Sequence, residues 1–292
     1  MNHANDQPAD RSRVELYDTT LRDGTQGLGV SLTVVDKINI ARLLDDLGFD
    51  YIEGGYPLSN PKDVAFFEEA RKVTWKHARV CAFGMTRRKN IEAKDDPGMQ
   101  ALVAAGAPVV TIVGKTWDLH VDEVLAVGRD ENLAMIRESV AFCAQAEAVE
   151  EVFYDAEHFF DGYKANPEYA MQTLGAAVEG GATRLVLCDT NGGSLPQDIT
   201  AAVQAVSAFL KSEIGNLKSE IPKLAIHPHN DAGLAVANAL AAVDAGCVQV
   251  QGTVNGIGER CGHVDLVTVA ANLALKLGRE VLRPGALERL HE

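Results

Sequence analysis

The chain contains no apolar run long enough to cross a bilayer, which excludes a helical membrane span and leaves no reason to expect a membrane partner. Its opening, Met1-Asn-His-Ala-Asn-Asp-Gln-Pro-Ala-Asp-Arg-Ser-Arg13, lacks the apolar centre of a signal peptide, so residues 1–13 read as a flexible polar tail. Cysteine is scarce. The five present, Cys81, Cys143, Cys188, Cys247 and Cys261, form no Cys-x-x-Cys pair. An odd, scattered set of thiols argues against a disulfide framework and for a reducing, cytoplasmic setting. Cations are outnumbered, with 27 Lys and Arg against 41 Asp and Glu, and the net charge of −14 speaks against a nucleic-acid partner. Any anionic substrate must therefore be held by local cations. Low-complexity stretches are missing too. What is there, 292 residues of which 47% are hydrophobic, suffices for one domain with a full core.

Short apolar runs recur at Val14 to Tyr17, Tyr51 to Gly55, Val80 to Gly84, Val109 to Gly114, Val152 to Glu157, Leu185 to Asp189, Leu224 to His229 and Val248 to Val254. Each predicts a parallel strand. The stretches between them carry helical spacing. Val34 to Leu47 places apolar residues at three- and four-residue steps and stops at Gly48, and Leu266 to Leu277 predicts the last helix. Eight alternations over this length predict an α/β fold, the (β/α)8 TIM barrel, over residues 14–280, with 281–292 as a C-terminal tail. An open doubly wound sheet is the competitor, but it separates the first strand from the seventh. In a barrel, chemistry sits at the C-terminal strand ends. There the polar residues gather: Arg22 and Asp23, Glu53, Lys115, Asp155 and Glu157, Asp189 and Thr190, His227 and His229, and Asn255.

Side chains two apart on a strand share a face, so His227 and His229 in Lys223-Leu-Ala-Ile-His-Pro-His-Asn-Asp231 deliver two imidazoles to one point. An isolated His-x-His is more often merely structural. Here the barrel brings to it Asp23, beside Arg22, in Asp18-Thr-Thr-Leu-Arg-Asp-Gly-Thr-Gln26. Two imidazoles, a carboxylate and a cation describe a Lewis-acid site for an oxygen-rich anion, with Mg, Mn, Zn or Co as the divalent ion. Glu53 can orient Arg22, and the bulk of Tyr56 at the end of the second strand can narrow a substrate pocket. The run Arg87-Arg-Lys89 suits either the phosphates of an anionic co-substrate or a solvated helix start.

Those motifs, with Tyr51-Ile-Glu-Gly-Gly-Tyr-Pro57, Val109-Val-Thr-Ile-Val-Gly-Lys115, Tyr154-Asp-Ala-Glu-His-Phe-Phe-Asp-Gly162, Leu187-Cys-Asp-Thr-Asn-Gly-Gly193 and Gln251-Gly-Thr-Val-Asn-Gly-Ile-Gly-Glu-Arg-Cys-Gly262, are collinear along nearly the whole chain. Together they resemble the acyl-CoA-condensing branch of the TIM-barrel metallolyases, which holds the isopropylmalate, homocitrate and citramalate synthases and hydroxymethylglutaryl-CoA lyase. The citramalate synthase type fits best.

The resemblance implies that acetyl-CoA, as co-substrate, condenses with the 2-oxo acid pyruvate and water to give citramalate and CoA on a route to isoleucine. The alternatives are a longer 2-oxo acid, the reverse lyase reaction, or a non-catalytic barrel. It also implies that Asp23, His227 and His229 hold the metal, that Arg22 meets the charge developing on oxygen, and that Thr190 binds the substrate carboxylate. Glu157 becomes a proton-transfer acid, and a homodimer is implied. Each has a bland counterpart: a carboxylate paired with a barrel cation for Glu157, a helix N-cap for Thr190. Asn255, Gly256, Gly258 and Gly262 resemble a mobile loop over the site, with Cys261 as loop packing and not a nucleophile. Two positions depart from the family pattern. His263 stands where relatives carry an asparagine near the metal, so it is either a further ligand, or a histidine at a helix start that supports the ligands from behind or faces solvent. The dimerising, regulatory domain usual beyond the barrel is absent from this chain, which predicts a folded but poor catalyst.

Overall fold

A computed structural model describes residues 13–214 and 221–292; the expected flexible tail lies, but for Arg13, outside the described residues. Eight parallel strands close into a barrel in sequence order: β1 Glu15–Asp18, β2 Tyr51–Gly55, β3 Arg79–Met85, β4 Val109–Lys115, β5 Glu151–Glu157, β6 Arg184–Asp189, β7 Lys223–Pro228 and β8 Gln249–Gly252. The closing seam pairs Tyr17 with Gln251 and Asp18 with Gly252. An open sheet is thereby excluded, and only β8 separates β1 from β7. No helix among the described residues is long and apolar enough to cross a membrane.

Burial on both faces explains why the strands read as apolar runs and not as alternations. Their outward side chains and the surrounding helices form the large core. Inside the barrel, a separate cluster of Tyr17, Tyr51, Cys81, Val109, Phe153, Val186, Cys188 and Ala225 fills the lower half. Tyr51 packs edge-on to Phe153 with ring centroids 5.1 Å apart. Above this apolar plug the interior turns polar, with Glu53, Thr111, Asp155, His227 and Gln251 all buried. That change of character sets the floor of the site.

Local signals act where expected. Thr33 and Asp36 cap Val34–Leu47 reciprocally, and Gly48 ends it in the left-handed region at φ 89°. Most strand ends shift by one residue, and three boundaries differ for a visible reason or by more. β8 ends at Gly252 instead of Val254, because Thr253 and Val254 donate their N–H groups to the Val264 carbonyl and the Thr20 hydroxyl and leave the ladder. β7 stops at Pro228, and His229 forms an isolated bridge to His263. The last helix ends at Leu275. A helix at Phe159–Ala165 precedes the crossover helix Pro167–Gly180, an element the sequence pattern does not separate.

The segment 281–292 is not a free tail. Val281 and Ala286 are buried, Leu287–Arg289 forms a 3-10 turn, and Arg283 and Arg289 reach Asp46 at 3.3 and 3.1 Å. Its apolar residues close the N-terminal end of the barrel against the turn at Gly48, where an added Cβ would stand 3.0 Å from the Arg283 nitrogen. Truncation after Glu280 is expected to lower stability by about 1–3 kcal/mol, the scale of one or two lost apolar side chains. A thermal melt unchanged by the truncation would restore the tail description.

Candidate active site and metal centre

The turn after β1 lifts two residues over the barrel mouth. The N–H groups of Arg22, Asp23 and Gly24 all donate to the Thr19 carbonyl, at 3.1, 2.8 and 3.1 Å. Below them the Asp18 carboxylate accepts from the Thr20 N–H and hydroxyl at 3.1 and 2.7 Å. The Thr20 hydroxyl in turn accepts the Val254 N–H at 2.9 Å, locking the first loop to the last.

Asp23, His227, His229 and His263 meet there, all buried, each offering one ligand atom within 4.8 Å of the others. One Asp23 oxygen lies 3.5 Å from His227 Nε2 and the other 3.1 Å from His263 Nε2. His227 Nδ1 is 2.9 Å from Gln251 Oε1. An amide oxygen can only accept, so His227 donates from Nδ1 to Gln251, which fixes the ring with Nε2 facing Asp23. The Nδ1 atoms of His229 and His263 are buried without partners.

Burial pushes the Asp23 carboxyl up, but the Arg22 guanidinium, His227 and His263 outweigh it and hold the group well below the usual range. Burial, then the neighbouring His263 and His227, drives His229 down to about 2, and burial lowers His263 as well. An anionic carboxylate among crowded imidazoles, two of them held neutral and with idle ring nitrogens, is a donor set for a divalent metal ion.

Arg22 is held from three sides. Its Nε donates to Glu53 at 2.5 Å, its Nη1 lies 3.0 Å from Asp23, and its guanidinium stacks 3.8 Å above the Phe83 ring. Glu53 also accepts the Tyr17 hydroxyl at 2.7 Å. Arg22, Asp23, Tyr56, Glu157, Thr190, His227 and His229 line one cavity of about 310 Å³. Glu53 and His263 back it. Glu157 is ion-paired with Lys115, the pairing its bland reading anticipates. Thr190 does not cap the following helix; its hydroxyl accepts the His158 N–H at 2.9 Å, so its own proton is free to donate. The Tyr56 ring stands edge-on to Phe83, centroids 6.2 Å apart.

A profile of the HMGL-like family matches residues 13–290. The chain belongs to the HMGL-like family. It is 51% identical over 280 residues to the (R)-citramalate synthase of Aquifex aeolicus, covering 96% of this chain and 51% of that one. It is 35% identical over 277 residues to the 2-isopropylmalate synthase of Synechocystis, covering 93% of this chain and 48% of that one. The chain thus spans about half the length of the curated relatives it matches. Among solved structures, the HMG-CoA lyase from Brucella melitensis superposes with a TM-score of 0.76 at 20% identity, over 96% of this chain and 95% of that one, a likeness in fold.

Some expected participants lie elsewhere in this HMGL-like barrel. Asn255 is exposed at φ 60°, and Cys261 is exposed instead of packed into its loop. Asp189 accepts from Ser194 at 2.8 Å. Of the basic run, Arg87 is internally paired, while Arg88 and Lys89 remain exposed on the wall of a neighbouring cavity of about 610 Å³. Arg87 is buried against Glu131 and Glu138, Arg88 pairs with Asp96, and Lys89 donates to the carbonyls of Leu125 and Ala126. Sequence reasoning missed Phe83, Gln251 and Glu259. For Gln251 the signal was present, since a glutamine two residues after another inside a predicted strand marks a polar inner face.

Asp155, in sequence only a polar residue near a strand end, is the anomaly of this cavity. It lines the wall beside His227, is buried, and its Oδ1 has no partner. Burial pushes its carboxyl up from 3.8 to about 7. Above pH 4 the unfolded chain releases this proton while the folded one keeps it, so stability falls as pH rises toward 7. In metal-free protein, Asp155→Asn is expected to add stability of the order of a few kcal/mol at pH 8 and almost none at pH 4. Equal effects at both pH values, read from denaturant midpoints, would contradict this.

Proposed function

We propose that this barrel is the condensing domain of a citramalate synthase-type acyltransferase, joining acetyl-CoA to pyruvate with water to give citramalate and CoA. The observation that carries the reading is the site's composition: a guanidinium fixed by Glu53 and Phe83 beside a buried carboxylate–imidazole cluster, in a cavity of about 310 Å³. Identity of 51% to a citramalate synthase, against 35% to an isopropylmalate synthase, supports pyruvate over a longer 2-oxo acid.

Asp23, His227 and His229, with His263, would hold a divalent ion, Mg, Mn, Zn or Co. Such an ion supplies Lewis-acid polarisation of the keto group when bound. Arg22 meets negative charge on the same oxygen, and its fixed geometry avoids reorganisation as that charge grows. Thr190 donates its hydroxyl proton to the substrate carboxylate. Tyr56, braced by Phe83, limits the substituent on the 2-oxo acid. Glu157, held by Lys115, moves a proton to or from the acetyl unit. The described cysteines are all free, which supports a cytoplasmic setting, and a homodimer follows from the resemblance alone.

The test combines calorimetric binding of 2-oxo acids to metal-loaded protein with thiol release from acetyl-CoA. Pyruvate is expected to lead 2-oxoisovalerate by about 10- to 200-fold. Arg22→Ala is expected to lower turnover about 100- to 1,000-fold with an unchanged fold. Faster release with 2-oxoisovalerate would reassign the substrate, and a barrel that binds no 2-oxo acid would be non-catalytic.

A further inference from the structure

The loop after β8 is built around one imidazole. His263 is 1% exposed, and its backbone is tied on both sides. Its N–H donates to the Gly256 carbonyl at 3.0 Å, the Val264 N–H donates to Pro228 at 3.0 Å, and the Asn230 N–H donates to Gly262 at 3.0 Å. Gly256 and Gly262 take left-handed φ values of 66° and 89°, which side chains rarely tolerate. Gly258 leaves room for the ring itself, since a Cβ there would overlap His263 Cδ2. Arg260 holds the loop down, donating to Asp231 at 2.8 Å and to the Thr190 carbonyl at 2.6 Å. The solvent-facing alternative for His263 is therefore wrong.

Within that cage the His263 ring lies 3.9 Å from the His229 ring and 4.9 Å from that of His227. Its Nε2 lies 3.1 Å from an Asp23 oxygen, and its Nδ1 is buried without a partner. A histidine kept only for packing would not need one nitrogen aimed at a buried carboxylate and the other left unmatched beside two more imidazoles. Burying an unsatisfied polar atom costs free energy, and here the cost is borne by a ring whose other nitrogen joins the Asp23 cluster.

We infer that His263 is a fourth ligand and makes the centre selective for late first-row ions of the zinc and cobalt class over magnesium. The inference rests on reading the cluster as a metal centre and narrows which ion it takes. Magnesium prefers oxygen donors and keeps much of its water, whereas imidazole nitrogen favours ions late in the Irving–Williams order. Three imidazoles and one carboxylate fall on the second side. Replacing His263 by asparagine returns one position to an oxygen donor and moves the preference back toward magnesium.

The test uses metal binding. Chelator-treated protein is dialysed against zinc with magnesium in hundredfold excess, and bound metal is counted. Cobalt(II) binding is followed by visible absorption. The wild-type chain is expected to retain about one zinc and to exclude magnesium. His263→Asn is expected to lose at least about tenfold in cobalt affinity, with a changed cobalt spectrum. Gly258→Ala, which displaces the ring and removes no ligand, should weaken cobalt in the same direction and guards against a folding defect in the first variant. Cobalt affinity and spectrum unchanged in both variants would overturn the role of His263 and leave the centre standing. Wild-type protein that binds no metal would overturn the reading of the centre itself.

Discussion

Tyr17 faces Gln251 and Asp18 faces Gly252 across the seam that closes the barrel, and just above it the Thr20 hydroxyl takes the N–H of Val254, 234 positions away in sequence. Through this seam a carboxylate near the start of the described chain meets a histidine near its end. The loop-closure entropy of so distant a contact is spread over every strand pair between them. The carboxylate–imidazole cluster is consequently a property of the closed ladder and not of any local segment. Loss of register between β1 and β8 would separate Asp23 from His263 while leaving His227 and His229 together on their own strand.

Inside the barrel, most buried polar groups are matched. Glu53 takes hydrogen bonds from Arg22 and Tyr17, Tyr17 also meets Thr111, and Gln251 holds His227. Unmatched atoms remain beside the cavity on Asp155, His229, Gln251 and His263, and at the opposite end on Arg184 and Gln249. Protein interiors rarely leave such groups unpaired, and a cluster of them beside a cavity is the pattern expected where stability yields to function. The lower half, filled by the Tyr17, Tyr51 and Phe153 rings, supplies the rigid floor that lets the upper half remain unsatisfied.

Strand periodicity made the barrel legible, because eight two-sided buried runs separated by helical stretches admit few other closures. His-x-His and the Arg-Asp pair revealed the centre for the same reason: a period of two fixes which side chains share a face. What the period does not encode is who stacks on whom. The ring of Phe83 lies beneath Arg22 because β2 and β3 are neighbours at a particular register, which the apolar run Arg79–Met85 does not display. The partners of the basic run after β3 are hidden on the same account. Its counter-charges Glu131 and Glu138 come from the helix Arg129–Ala144, and Arg88 meets Asp96 just before the helix Pro97–Ala104. Residues 281–292 looked like a tail because too few apolar positions remain there to announce packing.

The overlap that any side chain at 258 would make with the ring at 263 links two positions that carry no chemistry in common. Only 263 can drift alone. A residue with a Cβ fits at 258 without displacing the ring only after the imidazole at 263 has given way to something shorter, so in any lineage descending from this sequence a change at 258 is expected to follow one at 263.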